Sequence, residues 1–273
     1  SSATVTQQQL LLPFPQFLGI SDATMSLGSS TYLSLLLKLN KRFSHGFSML
    51  VAYTNGKLLT DTAPWVTSFL DSAPSFQNQY NRRADKSIAP EDISQRLVVS
   101  SVWELPFGHG KALLTHAPRA VDLALGNWQI NGIATLQTGQ PVVITNSVPT
   151  TSGATRPNNN GQSAGKSGSI TDRLNAYFIT SVFSAPGPFQ FGSTSRTLPD
   201  VRQARTRNFD LSVFKHFAVT EKVTVQFRGE FFNIFNTPRF GDPVGSFGPS
   251  SFGTINSQPH AQPHIQCARR LTC

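Results

Sequence analysis

The sequence predicts an all-β fold: an antiparallel transmembrane β-barrel section of about seven meandering strands, with long loops gathered on one side. Three observations predict it. Seven segments alternate residue by residue between apolar and polar side chains. Only 14% of the 273 residues are charged, against roughly 25% in ordinary soluble domains. Short connections alternate with long ones. Strict period-two alternation puts one set of side chains on each face of a strand, and a charged row opposite an aromatic row suits a strand between hydrocarbon and a watery lumen. The pattern also fits a half-exposed strand of a soluble antiparallel sheet. A soluble sandwich mixes its connection lengths, however, and loops this long are uncommon in compact domains.

Residues 31–43 carry Leu33, Leu35, Leu37 and Leu39 on one face, with Ser34, Lys38 and Arg42 on the other. A Ser-His-Gly turn leads into 47–55, where Phe47, Met49, Val51 and Tyr53 align. Segment 95–107 sets Leu97, Val99, Trp103, Leu105 and Phe107 against Arg96, Ser100 and Glu104. In 127–145, Trp128, Ile130, Ala134 and Leu136 oppose Gln129, Asn131 and Gln137. Segments 209–217 and 223–236 make a hairpin across a very short turn. In the second of these, Val223, Val225, Phe227, Gly229 and Phe231 alternate with Thr224, Gln226, Arg228, Glu230 and Phe232. Segment 264–273 ends the chain.

The connections are short at 44–46 and 218–222, medium at 108–126, and long at 56–94, 146–208 and 237–263. The longest is rich in Gly, Ser, Asn and Thr and reads as an irregular loop or flexible excursion. Long loops on one rim and short turns on the other are a barrel pattern. With the short turns periplasmic, the first and last strands both descend, which puts residue 1 outside the cell. Single-chain bacterial barrels have even strand numbers, so the expectation is a fragment, the C-terminal portion of something larger, with upstream strands missing. The opening SSATVTQQQ has no Met start, basic n-region or apolar h-region, so no export signal is visible.

Composition excludes several classes. Mean hydropathy is -0.17 and no run approaches the ~18 apolar residues of a spanning helix. The formal net charge of +9 raises nucleic acid as a partner. Yet Lys and Arg are dispersed, the nearest cluster being Arg202, Arg205 and Arg207, and there is no basic helix, zinc-finger spacing or RNP-like motif. No nucleic-acid partner is expected, and an anionic membrane surface is the better electrostatic match. Cys267 and Cys273, six residues apart on one strand, lie roughly 20 Å apart, beyond the ~7 Å that a disulfide spans.

Catalytic and cofactor motifs do not assemble. GQSAGKSGS, 161–169, resembles a phosphate loop, but its glycines are one residue too close for G-x4-G-K-S, and no apolar strand precedes it. It reads as a flexible polar loop. His260, His264 and Cys267 could make a soft metal site on paper, but His264 and Cys267 face opposite sides of a strand. Glu104, Arg228 and Glu230 read as lumenal charges that compensate one another. No enzyme activity, cofactor or metal is expected.

The runs GSSTYLSLLLKLNKRFSHGFSMLVAYTNGK, SQRLVVSSVWELPFGHGK, GNWQINGIATLQTGQPVVIT and RTLPDVRQARTRNFDLSVFKHFAVTEKVTVQFRGEFFNIFNTPRFG, then FGTINS and a terminal strand, are similar to TonB-dependent receptors of the Oar-like type. These are numerous in Acidobacteria and often carry an N-terminal carboxypeptidase-regulatory-like domain. The resemblance covers nearly all of residues 8–273, so 1–273 is treated as one unit. It implies the C-terminal section of a barrel of about 22 strands, plugged by an N-terminal domain, in the outer membrane. It implies uptake of a bulky solute powered through TonB. Its partners would be outer-membrane lipid, the missing plug and N-terminal strands, and the TonB complex through the missing N-terminal part. The last strand departs from the family: HIQCARRLTC replaces alternating apolar residues ending in Phe. Arg269 shares a face with Ile265 and Leu271, which costs about 2–4 kcal/mol at mid-bilayer and about 0–1 near the interface.

Residues then sort into three groups. Leu35, Leu37, Trp103, Phe107, Trp128, Phe227 and Phe231, with Phe217, are expected to face lipid or form the aromatic girdle. Arg96, Glu104, Gln129, Gln226, Arg228 and Glu230 are expected to face the lumen. Trp65, Phe76, Tyr80, Arg82 and Arg83 are candidates for solute contact because loops carry binding. The alternatives are a structural or adhesive outer-membrane protein acting through its loops, or a non-functional fragment.

Overall fold

The computed structural model describes residues 4–11, 13–17, 28–62, 77–78, 80–150, 154–218, 223–258 and 264–272. Seven long strands make one antiparallel sheet in chain order: β1 (Ser30–Ser44), β2 (Phe47–Thr60), β3 (Gln95–Glu104), β4 (Trp128–Gln137), β5 (Thr206–Ala218), β6 (Thr224–Phe232) and β7 (His264–Thr272). A two-residue strand, Ser87–Ile88, also pairs with the end of β2. The sheet is open, with β1 and β7 as its outer strands. Among the described residues, no helix is long and apolar enough to cross a membrane.

Cross-strand partners share a face, so the register carries each face from strand to strand. One row runs Leu39, Val51, Val99, Ala134, Phe209. Another runs Phe47, Trp103, Ile130, Val213, Gly229, Cys267. The opposite face carries Thr54, Arg96 and Gln137 in one row, and Glu104, Gln129, Phe214, Arg228 and Ala268 in another. The alternation seen in single segments is therefore coherent across the sheet. In β7, the backbone of Arg269 pairs with that of Phe227.

The turn between β1 and β2 is His45–Gly46, with φ of 52° and 77°. Positive φ at both central residues is the two-residue hairpin turn whose twist matches the flanking strands.

Three expected strand ends run too far. β3 stops at Glu104 because Pro106 has no N–H for the ladder, and Phe107 instead bridges Leu113 within the connection. Phe107 therefore lies off the strand. β4 stops at Gln137, after which Gly139 packs against the Gln203 carbonyl and Pro141–Val143 turns away to pair with Thr197–Arg202. β6 stops at Phe232, where Asn233 and Asn236 take φ of 50° and 48°, a left-handed conformation that ends extended structure.

The connection from β3 to β4 contains a short helix, Arg119–Leu125, absent from the sequence reading. Lys215, on the apolar face near the short-turn end of β5, is 2% exposed. It donates to the carbonyls of Asp122 and Gly126 and lies 5.4 Å and 5.3 Å from the Trp128 and Phe217 ring centres. A cation at the C-terminal carbonyls of a helix complements their partial charge.

The three long connections end on one rim. The longest of them is largely irregular in backbone, as expected, but it is packed and not a loose excursion. Val142, Ile144, Ala164, Tyr177, Phe178, Val182, Phe183, Leu198 and Val201 form a buried apolar core, with Phe247, Phe252 and Ile255 packed against it. Phe252 meets Phe178, Phe183 and Phe247 edge to face at 5.2–5.5 Å, the arrangement aromatic quadrupoles favour. The connections thus build a cap with its own core above the sheet.

Candidate functional site

The two faces of the sheet and the cap are the candidates for function. Leu35, Leu37, Trp103, Trp128, Phe227 and Phe231 lie on one face by register, and Arg96, Glu104, Gln129, Gln226, Arg228 and Glu230 on the other. The apolar row is open at its outer strand: Leu33, Leu35, Leu37 and Leu39 are all more than half exposed. The whole of β1 is exposed as the outer strand of an open sheet, and its stripe of four leucines asks for cover by an apolar solvent or by further protein.

On the polar face, hydrogen bonds run along strands as well as between them. Arg228 donates to Gln226 Oε1 at 3.1 Å and sits 4.5 Å from the Phe214 ring centre. Gln226 Nε2 lies 3.1 Å from His216 Nε2, and Gln129 donates to Asn131 at 2.7 Å. Glu104 pairs with Lys111 in the following connection at 2.8 Å. The expected mutual compensation of Glu104, Arg228 and Glu230 is not what forms: Glu104 is satisfied locally at the short-turn rim, and β3 and β6 are three strands apart.

The connections that make the cap are fastened to one another by buried charges. Arg156 meets Asp85 at 2.6 Å with the two side chains 3% and 1% exposed, and Arg202 meets Asp92 at 2.6 Å. Asp92 also accepts from the Leu58 N–H, while Arg202 donates to the carbonyls of Asp92 and Gly139. Arg196 reaches the carbonyls of Thr60 and Thr62, both at 3.1 Å. Burial pushes its guanidinium below its usual pKa, and nearby Asp85 opposes that. Gln77 bridges the cap, donating to Gly192 O and accepting from Arg156 N. Sequence reasoning missed Asp85, Asp92, Arg156 and Arg196. The one available signal was their charge in a chain otherwise poor in it.

Of the loop candidates, Tyr80 is 77% exposed and Arg83 is exposed. Arg82 is committed to Asp61 at 3.6 Å, so it braces the cap. Trp65 and Phe76 lie outside the described residues, as do His260 and Cys273. The His264 ring lies 6.4 Å from that of Phe232, tilted by 37°, and among the described residues no three His, Cys, Asp or Glu side chains converge on a metal position.

The model of one family, described as outer membrane beta barrel domain, matches residues 1–271. No curated protein and no solved structure matches the chain.

Proposed function

The chain belongs to the outer membrane β-barrel domain family and so lies in the outer membrane, and from that premise we propose that it forms wall, lumen lining and outer cap of a TonB-dependent, Oar-like receptor that takes up a bulky solute. The observation that carries this reading is the coherent two-faced sheet beneath a folded cap. The face of Leu35, Leu37, Trp103, Phe227 and Phe231 meets hydrocarbon. The face of Arg96, Gln129, Gln226, Arg228 and Glu230 lines a wet interior, and Glu104 sits at its periplasmic rim. Hydrocarbon does not tolerate the unpaired backbone groups at the free edges of β1 and β7, so further strands of the same barrel, about 22 in the receptors it resembles, close it. The chain's partners are then outer-membrane lipid, a plug inside the barrel, and the TonB complex reached through that plug. Its role is in binding and passage, without catalysis. Tyr80 and Arg83 are the loop candidates left open to a solute.

Cross-linking in intact cells tests this. A barrel coupled to TonB yields a cross-linked product with the TonB complex, and the yield rises when solute is bound. A protein that reaches the outer membrane with no such product is not an energised receptor, and adhesion through the cap then becomes the reading.

A further inference from the structure

We infer that the outer rim of this sheet holds a phosphorylated lipid of the outer leaflet, with its headgroup in a basic cavity beneath the cap and an acyl chain along an adjoining groove. The cavity has a volume of about 800 Å³ and is lined by Lys166, Arg173, Arg202, Arg205 and Arg207, against the single carboxylate of Asp200. A volume of this size accepts a small organic ligand.

The charges there are not used up by one another. Arg202 is spent on Asp92. Asp200 is spent on the Ser163 hydroxyl at 2.5 Å and the Gly165 N–H at 3.2 Å. Lys166, Arg205 and Arg207 make no ion pair among the described residues. Arg173 is held in place: it donates to the carbonyls of Ser169 and Lys166 and lies 4.7 Å from the Tyr177 ring centre. A fixed guanidinium and three free cations around one cavity ask for an anion with several acceptor oxygens, and arginine forks match phosphate.

A second observation fixes the kind of molecule. A groove of about 370 Å³ shares Thr138, Arg205 and Arg207 with the cavity and continues past Tyr53, Leu97 and Leu136. Those three residues lie in one row of the apolar face, and Arg207 pairs with Leu136 in that row. Basic at the cap and apolar down the strands, the combined site is amphipathic in the direction a lipid is. A free phosphorylated solute has no use for the groove. The site rests on the outer-membrane location with the cap on the outer side, as in the reading above, and is independent of TonB coupling.

The test uses the protein purified in a neutral maltoside detergent, with retention measured by native mass spectrometry. The probes are a diphosphorylated acyl-glucosamine lipid, its dephosphorylated form, and inorganic pyrophosphate. The expected result is retention of the phosphorylated lipid alone, with R205Q/R207Q losing it by roughly a hundred-fold, about ten-fold per charged contact. R205K/R207K should fall between, and L136S should weaken the lipid with the cavity intact. Both arginines are exposed, and an unchanged melt confirms that the variants fold. Pyrophosphate bound as tightly as lipid and insensitive to L136S means a free-anion site and overturns the assignment. Equal retention by wild type and R205Q/R207Q overturns the cavity itself.

Discussion

Replacing Asp85 with alanine should loosen the cap while leaving the sheet intact. Arg82, Arg156 and Arg196 share this interface with the carboxylates of Asp61 and Asp85, and with the exposed Glu91 farther out. Asp61 is taken by Arg82, so removing Asp85 leaves Arg156 with no carboxylate in contact and takes from Arg196, held by the Ser87 hydroxyl and the Thr60 and Thr62 carbonyls, its strongest nearby negative charge. Both are almost fully buried, and Arg156 Nε and Nη1 already lack a hydrogen-bond acceptor. Uncovering a buried charge in this way costs about 3–5 kcal/mol. R156M should cost less, about 1–2 kcal/mol, because Asp85 keeps Arg196 as a neighbour and a buried group left short of one contact loses an amount of that order. Amide hydrogen exchange across 154–160 and 192–197 is the assay, since local opening is read there against a fixed strand background. D85A should raise cap exchange by a factor of about 10²–10⁴, and R156M by roughly ten-fold. Equal effects from the two variants, or a D85A effect below ten-fold, would refute the charge-excess argument.

Three further outcomes are expected. Leu37→Arg, at the middle of β1 on the apolar face, should destabilise the assembled protein by about 2–4 kcal/mol, while Lys38→Gln next to it should change little; urea unfolding in lipid vesicles measures both. Gly46→Val should cost at least ~1–2 kcal/mol, because it imposes a left-handed backbone on a β-branched residue and drives a Cβ to 2.8 Å from the Glu104 carbonyl oxygen; the fraction reaching the heat-resistant folded form on a gel reports it. Tyr177 is buried and donates to the Arg202 carbonyl at 2.7 Å, and burial raises its pKa above the usual value. A raised pKa means that stability is complete below about pH 10, the unfolded value, and is lost as pH climbs through the folded one. Cap amide exchange should therefore accelerate above about pH 10, and Tyr177→Phe should flatten that dependence.

The sheet was legible because its signal is local. Alternation needs only neighbours in sequence, and β1 to β7 each fall on a segment where apolar and polar residues mostly change places from one step to the next, with exceptions such as Leu36 in β1. Ends were less so. Beyond Gln137, the apolar Val142 and Ile144 continue the look of a strand, yet they belong to the core of the cap, and nothing local tells one apolar destination from the other. Phe107 was misplaced for a similar reason: Pro106 was the break, and the aromatic beyond it kept the pattern going. The cap left almost no mark. Its core residues sit at irregular intervals through a stretch dominated by small polar residues, and its fastenings join Asp85 to Arg156 and Asp92 to Arg202, pairings that only folding brings together. The short helix Arg119–Leu125 was missed because about two turns carry no readable period.

Surface loops of barrels usually vary one at a time, each anchored only at its two ends, so that an insertion in one goes unnoticed by the others. Arg196 and Arg202 deny this chain that freedom, since each ties the β4–β5 connection to the one after β2, and Phe252 ties in the third. A segment added to any one of them is felt by all three. With the cap on the outer side, as proposed, the face it shows to antibodies, phages and competitors is inherited as a block. It can escape recognition by repainting exposed side chains such as Tyr80, but only at great cost by reshaping a loop.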